Sequence, residues 1–253
     1  MNNNKAEKKR PEKTEILREL MVLLEKCKGT YDQERVFYRA MGLVMAELFA
    51  FGRHTITQMM LTLGLVAEDW SAWYRVFSHK RFKEEETAKV MLSEILKEVE
   101  EKEPFVVGED GFHVPRCSQK MPGTGWMRGL NTARFKPGIQ RGQRFVEGSW
   151  LTPRVNGYSR AIPIRCLSAF TVKAVPNKEE EPRTEVKTGL IFLQWMREQM
   201  DVAGRENQVL LTLNDGGYDT LEFWPGLPER TVGIVRTARN RCLYELPSED
   251  APV

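Results

Sequence analysis

The chain has 253 residues, of which 41% are hydrophobic and 29% are charged, and its net charge is +3. This composition is typical of a globular protein with one large domain or two smaller ones. No apolar run reaches the length of a membrane-spanning helix, and the N-terminus MNNNKAEKKRPEK lacks the apolar core of a secretory signal. The four cysteines form no CxxC pair, so neither a zinc site nor a disulfide framework is expected. We therefore expect a cytoplasmic protein with no membrane partner.

The N-terminal part predicts a tail followed by helices. Residues 1–13 are polar and basic, and we expect them to be disordered. Apolar residues at spacings of three and four predict a helix that begins at Thr14 and ends at Gly29. The same spacing predicts a second helix over 32–51.

Two short helices follow, and their spacing resembles that of a helix-turn-helix. The first is predicted between Thr55, whose hydroxyl suits an N-cap, and Gly64. The second is predicted in the segment DWSAWYRVFSHKRF, whose aromatic residues favour a role in the core over base stacking. Helical bundles also contain such pairs of helices, so either DNA contact or a purely structural role explains the pattern. The helical DNA-binding domain would span 14–82.

A connector helix is predicted over 83–103. This segment carries eight Glu against four Lys and has an apolar stripe at helical spacing. The charges favour a solvated face.

From residue 104 the pattern changes to that of an α/β domain. Strands are predicted over 103–115, 141–153 and 157–170, a helix over 185–203, a strand over 208–215, a short helix or turn over 216–228 and a strand over 230–238. Three strands, a helix and two further strands predict an α/β domain with a mixed sheet.

Two aspartates end apolar runs, and the segment after the first is strongly basic. Residues 111–146 contain no Asp or Glu but seven Lys or Arg. Such a segment attracts a phosphate backbone, and Asp110 and Asp215 are candidate ligands of Mg²⁺ or Mn²⁺ beside it. Each aspartate also has a structural interpretation, in which Asp110 is a turn residue and Asp215 is a helix cap.

The strand pattern also predicts the face or the strand end on which each aspartate lies. Asp110 shares a strand face with Val106, Gly108 and Phe112, whereas Glu109 points to the opposite face. Asp215 ends a strand and precedes two glycines. If the two strands are neighbours, the carboxylates converge at one site and could support two-metal phosphoryl transfer.

Several basic residues are candidate DNA contacts. Arg116, Lys120 and Arg128 lie in the basic segment, and the motif RTARNR contributes the group Arg236, Arg239 and Arg241. A solvated face is the alternative for the second group. His113 lies near Asp110, and its neighbours favour a structural role.

Three stretches of the sequence carry a family resemblance. They are GEDGFHVPRCSQKMPGTGWMRGL, NGYSRAIPIRCLSAF and LNDGGYDTLEFWPGLPERTVGIVRTARNRCLYELP. With the preceding RHTITQMMLTLGL and DWSAWYRVFS, they resemble insertion-sequence transposases of the acidic-triad (DDE) class, which have an RNase-H-like core. The resemblance implies an RNase-H-like domain over 104–247 and a nucleoid-associated protein that acts on double-stranded DNA at element ends and target sites. It also implies that Asp110 and Asp215 are the first two catalytic acids and bind Mg²⁺ or Mn²⁺.

The sequence departs from that family at the third acid. In the family this acid, usually a glutamate, lies on a helix beyond the fifth strand. Here the remaining acids, Glu245, Glu249 and Asp250, lie in the Pro-flanked tail YELPSEDAPV. We therefore expect the N-terminal part of a longer transposase, which would bind DNA without cutting it and act as a homodimer or with a full-length transposase. The alternatives are a catalytically inactive DNA-binding protein and an inactive relic.

Overall fold

The computed structural model describes residues 13–118, 120–129, 138–176 and 181–238. It divides into two compact units, Met1–Met91 and Leu92–Val253, which we call the helical unit and the sheet unit. The division falls inside the helix that was predicted over 83–103.

The helical unit contains the predicted series of helices. They are α1 (Lys13–Glu25), α2 (Glu34–Phe49), α3 (Ile56–Thr62), α4 (Ser71–Ser78) and α5 (Glu84–Leu96), which continues into the sheet unit. The predicted cap of α3 is confirmed, because Thr55 Oγ1 accepts a hydrogen bond from the Gln58 backbone N–H at 3.2 Å. α2 packs against α3 and α4 and buries Phe37 and Met41.

The expectation of an aromatic core in α4 is wrong for two residues. Tyr74 is 42% exposed and Phe77 is 61% exposed, and α4 has no buried residue. The packing of this short helix uses Trp73, whose ring lies against Gly42 of α2. The Tyr74 hydroxyl instead hydrogen-bonds Thr57 at 2.8 Å.

The sheet unit confirms the prediction of a mixed α/β sheet. Its elements are β1 (Phe105–Pro115), β2 (Gly125–Arg128), β3 (Ile139–Leu151), β4 (Ala161–Ala169), α6 (Glu185–Val202), β5 (Leu210–Asn214), α7 (Phe223–Gly226) and β6 (Thr231–Val235). Strand β2 was not predicted, because its four residues are too few to show an alternating pattern.

The sheet is antiparallel on one side of β1 and parallel on the other. β1 pairs with β3 in antiparallel orientation, and β2 and β4 lie one after the other along the far edge of β3, both antiparallel to it. On the other side, β5 pairs with β1 and β6 pairs with β5, both in parallel orientation. The C-terminal end of β5 therefore lies beside the middle of β1, near the centre of the sheet.

Helix α6 covers one face of this sheet. It begins after Thr184, whose Oγ1 accepts a hydrogen bond from the Lys187 backbone N–H at 3.1 Å, and it ends at Val202, two residues before Gly204, which has a φ of +77°. Its apolar stripe buries Phe192, Leu193 and Met196 against the strands. None of the described helices, including this 18-residue one, is apolar enough over a sufficient length to cross a membrane.

The predicted connector helix over 83–103 is wrong at its C-terminal end, because α5 ends at Leu96. Two long side chains bind the carbonyl groups that a longer helix would use. Arg205 donates hydrogen bonds to the carbonyls of Leu96 (2.9 Å) and Val99 (3.2 Å). Gln208 Nε2 donates to those of Glu100 (3.0 Å) and Glu103 (2.8 Å). Contacts that are remote in sequence thus override the local helical pattern.

Candidate functional site on strands β1 and β5

The structure places Asp110 and Asp215 at equivalent positions of two neighbouring strands. β1 and β5 are parallel, and their register pairs Gly108 with Leu213, two residues before each aspartate. Both aspartates are exposed. Asp110 lies within β1, so its interpretation as a turn residue is wrong. β1 and β5 are thus neighbours, which is the condition on which the two carboxylates were expected to converge.

Asp215 also has the structural role that was considered for it. It is the N-cap of a short 3₁₀ turn over Gly216–Tyr218, and its Oδ1 accepts a hydrogen bond from the Gly217 backbone N–H at 2.9 Å. This bond fixes the direction of the carboxylate at the end of β5. The cap and a role in ligand binding are compatible, because a carboxylate has two oxygens and several acceptor positions.

A buried hydrogen bond joins the residues that directly precede the two aspartates. Asn214 Nδ2 donates to Glu109 Oε2 at 2.5 Å, and Thr212 Oγ1 donates to Asn214 Oδ1 at 2.7 Å. Glu109 is only 5% exposed. Burial raises its pKa to about 7, although the hydrogen bonds from Asn214 and Thr212 oppose that rise. The pair holds β1 and β5 in register where the aspartates emerge.

The hydroxyl of Tyr218 lies among the acidic groups of the site. Tyr218 is 4% exposed, and its hydroxyl has no hydrogen-bond partner among the described residues. Its pKa is raised first by burial and then by the carboxylates of Glu109, Glu185, Asp215 and Asp110. The Tyr218 hydroxyl and Glu109 Oε1 both lie close to Gly189 of α6, where a Cβ atom would be 3.2 Å and 3.1 Å from them. Glu185 and Tyr218 were both missed in the sequence.

Glu185 reaches this region from the first turn of α6. Its Oε1 occupies the space above Gly111, where a Cβ atom would lie only 1.7 Å from it. Its Oε2 lies 3.0 Å from Arg144 Nη1. A signal for Glu185 was present in the sequence, because an acid directly after the capping Thr184 must lie at the start of the predicted helix.

Arg144 links Glu185 to His113. Arg144 Nε donates to His113 Nε2 at 3.0 Å, which requires a neutral imidazole ring. The pKa of His113 is lowered by burial and by Arg144, while Glu185 opposes the shift. This arrangement agrees with the structural role that the sequence favoured for His113.

The residues that were predicted to contact DNA differ in their exposure and in their distance from the aspartates. Lys120 and Arg128 are exposed, whereas Arg116 is half-buried and its Nε donates to Gln143 at 3.0 Å. Arg236 is exposed directly after β6, and its backbone N–H bonds to the carbonyl of Asn214 at 3.1 Å. Arg236 is therefore next to the end of β5. Arg239 and Arg241 lie outside the described residues.

The site offers two exposed carboxylates to a cation. Within the described ranges, no group of three or more His, Cys, Asp or Glu side chains is close enough together to hold a metal ion. Two carboxylates still suit Mg²⁺, because this ion retains several water ligands in many proteins. Comparison of the chain with models of known protein families gives no match, and comparison with curated proteins gives none either.

Proposed function

We propose that the protein is a transposase-like protein that takes part in metal-dependent cleavage and transfer of DNA strands at the ends of an insertion element. The observation that carries this proposal is the pairing of β1 with β5, which brings Asp110 and Asp215 to equivalent positions. The two residues also emerge on an accessible part of the sheet. A substrate as large as duplex DNA requires such access.

The topology supports an RNase-H-like assignment of the sheet unit. Three strands pair in antiparallel order, α6 follows them, and two parallel strands complete the other side of β1. This is the order of elements that the resemblance to DDE transposases implies. Asp110 lies on the first strand, β1, and Asp215 directly follows β5, the first strand after α6. The resemblance to DDE transposases implies the same placement of the two acids.

Asp110 and Asp215 would hold the metal ion. Mg²⁺ or Mn²⁺ bound there would activate a water or a 3′-hydroxyl and stabilise the leaving oxygen of a phosphodiester. Neighbouring residues hold the two carboxylates in place. The bond between Glu109 and Asn214 fixes the two strands, and the cap at Asp215 fixes one carboxylate. Phosphoryl transfer depends mainly on such positioning.

Basic side chains would hold the DNA beside this site. Arg236 is close to the end of β5, and Lys120 and Arg128 are exposed in the segment that lacks acidic residues. The pair α3 and α4 has the short-helix spacing of a helix-turn-helix, and we assign it a DNA contact on that basis. A homodimer or a longer transposase would be the protein partner.

The metal site can be tested with Mn²⁺. Titration followed by NMR should broaden the signals of residues around Asp110 and Asp215, because the ion is paramagnetic. Substitution of either aspartate by asparagine should weaken the effect strongly. Glu229→Gln is the matched control, because Glu229 is an exposed acid in the turn before β6. Broadening centred on Glu245, Glu249 and Asp250 would show that other acids bind the metal.

DNA binding and strand cleavage form the second part of the test. Binding to duplex DNA should weaken with salt, with a log–log slope that steepens by about 0.9 for each neutralised phosphate. A nicking assay with Mn²⁺ should then compare the protein with Asp215→Ala. Nicking that this substitution abolishes would support an enzyme. DNA binding without nicking by either protein would favour the inactive DNA-binding alternative, and salt-independent binding would contradict both.

A further inference from the structure

Strand β6 forms one edge of the sheet. It pairs with β5 on one side, and on its other side no strand of the described ranges pairs with it. The Arg236 backbone N–H donates to the Asn214 carbonyl at 3.1 Å, so the backbone of Arg236 faces β5. The backbone groups of a strand face a given neighbour at every second residue. Those of Thr231, Gly233 and Val235 therefore point away from β5, along the outer edge of the sheet.

The side chains of β6 do not shield this edge. Natural proteins commonly protect an edge strand with charged residues or proline. The strand Thr231–Val235 has the sequence TVGIV, which contains neither. Val232 is 51% exposed and Ile234 is 53% exposed. They alternate with Gly233, whose Cβ position lies against α7, so both project from the face of the sheet opposite α7.

An exposed tryptophan lies at the middle of the same edge, on the α7 side. Trp224 is 41% exposed, and its ring is 3.4 Å from the position that a Cβ atom of Gly233 would take. Its Nε1 donates to Asp219 Oδ1 at 3.2 Å, which fixes the ring. Tryptophan is enriched among the residues that dominate binding between proteins. Both sides of the edge thus carry exposed apolar surface beside the outward-facing backbone groups.

The edge is complementary to itself. Two copies of β6 can pair in antiparallel orientation about a two-fold axis at Gly233, with Thr231 of each copy opposite Val235 of the other. All residues that point away from β5 then form hydrogen-bonded pairs, and each of their N–H groups meets a carbonyl of the second copy. In the same register Val232 lies opposite Ile234 of the second copy, where apolar side chains stabilise the pairing.

The charges that flank β6 are compatible with this register. Arg230 would lie opposite Arg236 of the second copy. The charge of Arg230 is compensated within its own chain, because its Nη2 lies 2.9 Å from Asp201 Oδ2. Repulsion between the two arginines is therefore reduced at the ends of the paired strands.

We propose that two copies of this chain associate through the outer edge of β6, so that their sheets join into one, with Trp224 of each copy beside the two-fold axis. The two β5 strands then run in opposite directions, and the two aspartate sites face opposite ends of the joined strands. This contact requires neither metal nor DNA, so it does not rest on the proposed function.

Sedimentation velocity over a range of protein concentrations tests the contact, with the full chain and without DNA or divalent ions. The protein should form a reversible dimer with a Kd in about the micromolar range, because the contact is small. The double variant Val232→Lys, Ile234→Lys should raise that Kd at least about tenfold, since it places like charges opposite each other. The matched control is the double variant Val155→Lys, Val202→Lys, because these valines are 66% and 84% exposed outside β6.

Val235→Pro tests the backbone pairing directly. It removes an N–H group that points away from β5, and proline is tolerated at such positions of edge strands. It should therefore weaken the dimer while the urea unfolding curve of the variant stays close to that of the unchanged protein. In the unchanged protein, the Gly233 N–H should exchange slowly with solvent at high concentration and faster on dilution.

Three results would overturn the inference. The first is a protein that stays monomeric up to about 100 µM, well above the expected Kd. The second is a dimer that the substitutions in β6 do not weaken. The third is protection of the Gly233 N–H that does not change with concentration, which would show that the same chain covers this edge. The exchange measurement needs no variant, so it decides the question even if a variant does not fold.

The outcome is separable from that of the proposed function. A monomer that binds Mn²⁺ at the aspartates and binds DNA would leave the proposed function standing. A dimer through β6 that binds neither would leave the interface standing and contradict the transposase proposal.

Discussion

The two faces of strand β1 differ sharply in their surroundings. On the face toward α6, Phe105, Val107 and Glu109 are at most 5% exposed. On the opposite face Asp110 is exposed and Phe112 is 36% exposed. Two acidic residues that are adjacent in sequence thus have different chemistry. Burial makes Glu109 a hydrogen-bonded structural residue, and exposure leaves Asp110 available to a ligand.

Two glycines allow α6 to pack closely against the face of the sheet that it covers. A Cβ atom at Gly148, which pairs with Glu109 across the sheet, would lie 2.2 Å from the ring of Phe192 in α6. A Cβ atom at Gly189 of α6 would lie 3.1 Å from Glu109 Oε1 and 2.7 Å from the ring of Tyr218. The helix backbone therefore approaches the sheet at the level of the site, and this approach excludes water from Glu109.

The largest expected difference between the faces concerns folding stability. Glu109→Ala should reduce the free energy of unfolding by about 2–4 kcal/mol, because it leaves the buried Asn214 amide without its acceptor and creates a cavity. Asp110→Ala should change it by no more than about 0.5 kcal/mol, because the side chain is exposed. Urea unfolding of both variants at pH 5 measures the contrast. Similar losses would show that the faces do not differ in this way.

The pH dependence of stability should also distinguish the two acids. The pKa of Glu109 is raised from 4.5 to about 7 in the folded protein, so the folded state binds its proton more tightly than the unfolded state does. Its contribution is fully present below pH 4.5 and is lost as the pH rises to about 7. The loss should be on the order of 2–3 kcal/mol, measured by urea unfolding between pH 4.5 and 8.

Glu109→Gln and Asp110→Asn are the matched variants for this measurement. Glu109→Gln should lack the decrease in the free energy of unfolding that Glu109 causes between pH 4.5 and 8. Asp110→Asn should retain that decrease. If Asp110→Asn removes the pH dependence and Glu109→Gln does not, the assignment of the raised pKa is wrong.

The sequence predicted the strands of the sheet and the positions of the two aspartates on it. It did not predict which side chains of other elements lie around them. Alternating and helical patterns are local, so they located β1, β5 and α6 and placed Glu109 and Asp110 on opposite faces. The approach of Glu185 to Gly111 depends on how α6 crosses the sheet, which no local pattern encodes. The end of α5 at Leu96 has the same origin, since Arg205 and Gln208 bind its following carbonyls from more than 100 positions away. β2 was too short to detect.

The smallest expected effect is a change in the pKa of His113. This residue lies at the edge of the face of the sheet that α6 covers, where Arg144 joins it to Glu185. Burial and, after it, Arg144 lower the pKa of His113, and Glu185 opposes the shift. Glu185→Gln should therefore lower that pKa further, and Arg144→Gln should raise it toward its ordinary value, because each substitution removes one charge of opposite sign. Titration of the histidine ring signals by NMR measures both shifts, with His54 and His79 of the helical unit as internal references. Shifts in the same direction would show that burial, and not this pair of charges, controls His113.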